Sequence, residues 1–146
     1  MTCDPQRGVD LDSGNDARRP LLFCAGGAVV AVVSIGLAAA AGPPYLSLAA
    51  LNPWLVVYAI ALFAALFSVP FAFHARLGGE LEADARWERA LLLWGLVALA
   101  ALGIAVLVAL AAGGFDSGSL AGSFAAVTLA EAVLVLGSLV AWLLSN

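Results

Sequence analysis

Of 146 residues, 64% are apolar and 11% charged, and the mean hydropathy is +1.05, whereas about a quarter of the residues of a soluble domain carry charge. Hydrocarbon rather than water is expected around most of the chain, and its long apolar runs leave no length for a separate soluble domain with its own core. The net charge of −4 comes from mixed acids and arginines without a basic patch, which argues against nucleic acid as a partner.

The distribution of charge is more informative than its sum. Asp4, Arg7, Asp10, Asp12, Asp16, Arg18 and Arg19 precede Pro20, and Arg76, Glu80, Glu82, Asp84, Arg86, Glu88 and Arg89 form an island in mid-chain. Only Asp116 and Glu131 lie elsewhere. This pattern predicts an all-α, polytopic membrane protein with four transmembrane helices in two hairpins and both termini cytoplasmic, because the arginines collect in segments that the positive-inside rule keeps in the cytoplasm. Every cation is arginine, and with the richness in Ala, Gly and Val this resembles proteins of high-GC prokaryotes or halophiles. The expected location is accordingly a cell membrane, a prokaryotic plasma membrane.

In chain order, residues 1–19 mix Asp, Arg, Gly, Ser, Asn and Pro without an apolar period, and are read as a disordered cytoplasmic tail. Residues 20–146 form the transmembrane domain. Its first span, 21–41, is free of charge and reaches about 30 Å at 1.5 Å per residue, the thickness of a hydrocarbon core. Arg18-Arg19-Pro-Leu-Leu also looks like the opening of a twin-arginine export signal, with Ala39-Ala40-Ala41 as a small-residue cleavage site. The length and valine content of the run favour a retained span. Cys24 opens this run and Cys3 stands in the tail, so neither C-x-x-C spacing nor a paired-thiol redox or metal module is indicated.

An uncharged turn with Tyr45 follows, and Asn52-Pro53 reads as an N-cap with proline at the first helical position. The second span is 53–73, with Trp54 at headgroup depth and a bend expected at Pro70. The cytoplasmic loop, 74–89, is broken by Gly78-Gly79 and then becomes good helix sequence, in which Glu82 and Arg86 stand in the favourable i, i+4 order. Trp87 shares a helical face with Leu91 and Trp94. The third span, 90–112, carries the small-residue ladder Ala101, Ala105, Ala109 and Gly113. Ala64, Ser68 and Ala72 form another in the second span, as do Gly122, Ala126 and Ala130 in the fourth, 123–144. Arginines, a Leu-Leu start, a turn and a return span occur in both halves, which is compatible with a duplicated hairpin but also with low-complexity apolar sequence.

Glu131 is the one acid inside a span. An intramembrane carboxyl is a functional-site hypothesis by default. Desolvation in hydrocarbon favours its neutral form, able to donate as well as accept a hydrogen bond. Thr128, Glu131, Val135 and Ser138 share one helical face, and Ser34 and Tyr58 stand at compatible depth, so Ser34, Tyr58, Thr128 and Ser138 are its expected hydrogen-bond partners. No span contains arginine or lysine, which excludes an internal salt bridge. His74 beside Arg76 is read as an interfacial side chain, since a bis-histidine haem or metal site needs a second histidine.

Three functional classes follow. Without a nucleophile–base pair, a phosphate-binding glycine loop or a ligand cluster, the leading expectation is a small non-enzymatic integral membrane protein, structural, accessory or assembling with a homo-oligomer or larger membrane complex in the bilayer. The alternative is a proton- or cation-coupled small transporter or channel component that uses Glu131. A quinone-linked oxidoreductase would require ligands or thiols that the sequence lacks. Catalytic residues, metal ligands and cofactors are accordingly expected to be none.

Overall fold

Once water is absent, a backbone must satisfy its own hydrogen bonds, and the apolar runs do so as helices. The computed structural model describes residues 18–47, 51–77 and 83–145. The expectations for residues 1–17, for the Gly78-Gly79 break and for the pairing of Glu82 with Arg86 lie outside the described residues. Within them the regular elements are α1 (Arg18–Ala41), α2 (Pro53–Arg76), α3 (Ala83–Ala111) and α4 (Leu120–Ser145). All four are long and apolar enough to cross a membrane, as in a small multi-pass integral membrane protein.

The helices outrun the apolar segments that predict them. The expected loop 74–89 is largely helical: α2 continues through His74 to Arg76, and α3 begins at Ala83. Helix-forming residues cost nothing where they meet water, so a helix need not stop at its last apolar side chain. With 29 residues, α3 extends about 43 Å, well beyond a hydrocarbon core of about 30 Å. Pro70 is buried within α2, which runs on through it.

Consecutive helices are antiparallel. Arg18, Arg19, Arg76, Arg86 and Arg89 therefore collect at one end, the arginine end, while Tyr45 and Asp116 mark the opposite, turn end. Packing is densest within the two hairpins, and α2 joins them by contacting all three other helices, whereas α1 touches α4 only marginally. The molecule is thus two hairpins held through α2, with one flank of α4 left open beside α1.

Small residues set the close approaches. A Cβ at Gly27 would stand 3.0 Å from both the Ala61 carbonyl oxygen and the Ala65 Cβ, so α1 lies directly on the α2 backbone. The working ladder of α2 is Ala61, Ala65 and Ala72, all buried, while Ala64 of the expected ladder is exposed. In the second hairpin Leu139 fills the notch left by Gly95, where a Cβ would come within 2.5 Å of Leu139 Cδ2.

The turn end is tied by polar bonds. The Leu46 amide donates to the Ser117 carbonyl at 3.3 Å, linking the two turns, and the fully buried Ser123 hydroxyl donates to the same carbonyl at 3.0 Å. Asn52, 5% exposed, serves both helices of the first hairpin. Its Oδ1 accepts from the Trp54 amide at 3.0 Å, capping α2, and its Nδ2 lies 3.3 Å from the carbonyls of Ala38 and Gly42 at the end of α1. One side chain thus satisfies backbone groups that two helix ends would otherwise leave unpaired.

Candidate functional site

Two helices that run in the same direction, α2 and α4, meet through polar side chains in the interior. Tyr58 is 4% exposed and its ring packs on Phe124 at 5.3 Å between centroids. Its hydroxyl lies 2.5 Å from Thr128 Oγ1, and that oxygen lies 2.8 Å from the Phe124 carbonyl, to which it donates. With the threonine proton committed to its own helix, the Tyr58 hydroxyl is the donor between helices and Thr128 Oγ1 the acceptor.

Glu131 stands one helical turn along α4 from Thr128, toward the arginine end, and is half-buried. It lies within electrostatic reach of Tyr58. Its Oε2 is shielded from solvent and meets no hydrogen-bond partner among the described residues. The four residues expected to serve it are bonded otherwise. Ser34, 2% exposed, donates to Val30 of its own helix at 2.7 Å. Tyr58 and Thr128 satisfy each other. Ser138 is exposed, on the face turned away from the bundle, and donates to the Val135 carbonyl at 2.8 Å. The structure therefore brings Tyr58, Thr128 and Glu131 together on the α2–α4 seam, places Ser34 on the neighbouring α1–α2 contact and takes Ser138 out of the group.

The reason is the rotation of α4. Its buried row is Ala125, Thr128, Ala132, Val135 and Leu139, while Leu120, Phe124 and Val127 pack against the α1–α2 cluster of Ala31, Ala38, Leu55, Tyr58 and Ala61. Glu131 continues this second row by one further turn.

At the arginine end His74 stacks on Trp87, with ring centroids 4.1 Å apart, and Phe71 meets the edge of the same indole at 5.7 Å. Trp87 thus joins α2 to α3 as well as facing along α3, which the sequence alone did not indicate. His74 has an aromatic partner there. Among the described residues no three His, Cys, Asp or Glu side chains gather closely enough to hold a metal ion.

Asn52 and Gly27 are the structural determinants that sequence reasoning reached only in part or not at all. Asn52-Pro53 announced a cap for α2, but nothing in the spacing announced its bonds to α1. Gly27 looks like any other small residue of an alanine-rich run. Comparison with protein-family models, with curated proteins and with solved structures finds no match to this chain.

Proposed function

We propose that this chain is a non-catalytic accessory subunit of a cell membrane, and that Glu131 is where it engages another membrane-embedded chain. The observation that carries the reading is the Glu131 carboxyl: one oxygen is withdrawn from solvent without a partner, while its polar neighbours are satisfied by one another or by their own helix backbone. A buried polar atom left unpaired costs on the order of 1–3 kcal/mol, so a donor from outside the chain, or a proton with an acceptor, gains that much by meeting it. Glu131 is only half-buried and Ala130 beside it is exposed, so a rotation of the glutamate side chain is enough to bring its carboxyl to the surface of α4. The arginine end faces the cytoplasm in this reading, by the positive-inside rule, and the composition points to a prokaryotic plasma membrane.

A carrier role for Glu131 rests on the same atom. In that case protons or cations would reach the carboxyl past Tyr58 and Thr128, and the charge itself would be indispensable. Native gels of membranes solubilised in a mild detergent, combined with pH-driven uptake in vesicles, separate the two. Assembly predicts that Glu131→Gln retains the size of the wild-type complex and Glu131→Leu loses it. Loss of uptake in Glu131→Gln, with unchanged complex size in Glu131→Leu, would replace the assembly reading by the carrier.

A further inference from the structure

At the arginine end the first turns of α3 and the last turns of α4 separate enough to enclose a half-open groove of about 740 Å³, a volume within the usual range for small-ligand sites. Its walls are of two kinds. By position along the helices, Leu91, Leu92 and Leu139 stand nearer the bundle, and Asp84, Trp87, Glu88, Trp142 and Leu143 nearer the helix ends. Position along α3 explains the sorting. Asp84, Trp87, Glu88, Leu91 and Leu92 fall at helical spacing on one face, whereas Arg86 and Arg89 point to other faces and do not line the groove. Asp84 and Glu88 are exposed, one turn apart, and no described arginine is ion-paired with either.

The occupant that such walls select is an amphiphile with a cationic head and an apolar chain. Two carboxylates flanked by indole rings attract an ammonium group through charge and through the π faces. The leucines offer an acyl chain a bed continuous with the membrane interior. Tryptophans mark this level as the headgroup boundary, where amine-bearing phospholipid is the abundant molecule with both parts. We propose that this groove is a binding site for a phospholipid with a primary-amine headgroup, phosphatidylethanolamine in chemical class.

The test uses the full-length protein in detergent, offered equal amounts of phosphatidylethanolamine and phosphatidylglycerol, with the retained lipid counted by native mass spectrometry. The wild type is expected to retain the amine lipid about tenfold in excess, the order that one exposed ion pair plus a cation–π contact supplies. The Asp84→Asn/Glu88→Gln double variant should lose that preference. These two exposed positions are free of core contacts, so the variant folds, and its helical circular dichroism checks this. Quenching of tryptophan fluorescence by brominated-chain phosphatidylethanolamine should fall in parallel. Equal retention of the two lipids by the wild type, an undiminished preference in the double variant, or displacement of the amine lipid by equimolar dodecyltrimethylammonium would overturn the proposal. The last outcome would assign the groove to a free lipophilic cation.

Discussion

Replacing Thr128 by valine should destabilise the bundle more than replacing Tyr58 by phenylalanine, although both changes delete the same hydrogen bond. Both residues are 4% exposed, and their oxygens are 2.5 Å apart. In Tyr58→Phe the donor disappears with its proton, while Thr128 Oγ1 keeps its bond to the Phe124 carbonyl. Nothing is orphaned, and the loss is about 0.6–1.7 kcal/mol, from the average to the largest value measured for interhelical hydrogen bonds in lipid. Thr128→Val preserves the shape but leaves the phenolic hydroxyl without an acceptor in an apolar seam, which costs about 1–3 kcal/mol. Removing both partners should then recover part of the loss, so Tyr58→Phe/Thr128→Val is expected to be more stable than Thr128→Val alone. Unfolding in bicelles by titrated SDS, followed by circular dichroism, measures all four corners of the cycle. The cycle is repeated with Glu131→Leu, where the adjacent carboxyl cannot take up the released hydroxyl. If Thr128→Val proves as mild as Tyr58→Phe, or the double variant shows no recovery in the Glu131→Leu background, the assignment of donor and acceptor on this seam is wrong.

Asn52→Ala should cost about 2 kcal/mol by the same unfolding assay, from a lost helix cap and the unpaired Gly42 carbonyl; Asn52→Ser, which keeps the cap acceptor, should recover about half, and full recovery by Asn52→Ser would show that the bonds to α1 contribute nothing. Gly27→Leu should separate α1 from α2 and destabilise by about 1–3 kcal/mol or more, because its first side-chain carbon already meets backbone. Gly36→Leu, with nothing within 4 Å of its Cβ position, should be tolerated, and a similar loss at both glycines would refute the packing described here.

The four spans were legible because charged residues, Glu131 apart, are excluded from them, a signal that requires no knowledge of contacts. Rotation about each helix axis was not. These helices are apolar on every face, so no amphipathic stripe says which side turns inward. That is why the ladder of α2 runs through Ala61 and Ala65 rather than Ala64 and Ser68, and why Ser138 turns away from the bundle although it stands seven residues from Glu131. Tyr58, Thr128 and Glu131 were legible as a group by depth and polarity. That the first two would satisfy each other, and leave the carboxyl unmet, depends on a side-chain geometry that spacing does not encode. The first hairpin shows the same division: the sequence pattern Asn-Pro reveals a cap, and only the path of the turn brings Asn52 to Ala38 and Gly42.

The central claim is that Glu131 meets another protein chain at the surface of α4. Photo-crosslinking in intact membranes tests it most directly, with benzoylphenylalanine placed at Ala130, exposed beside the carboxyl, and at Leu99, 55% exposed at comparable depth on α3. The account predicts a discrete crosslinked protein species from position 130 that persists with Glu131→Gln, vanishes with Glu131→Leu and is not formed from position 99. Crosslinks to lipid alone at both positions, or an adduct at 130 indifferent to Glu131→Leu, would contradict it.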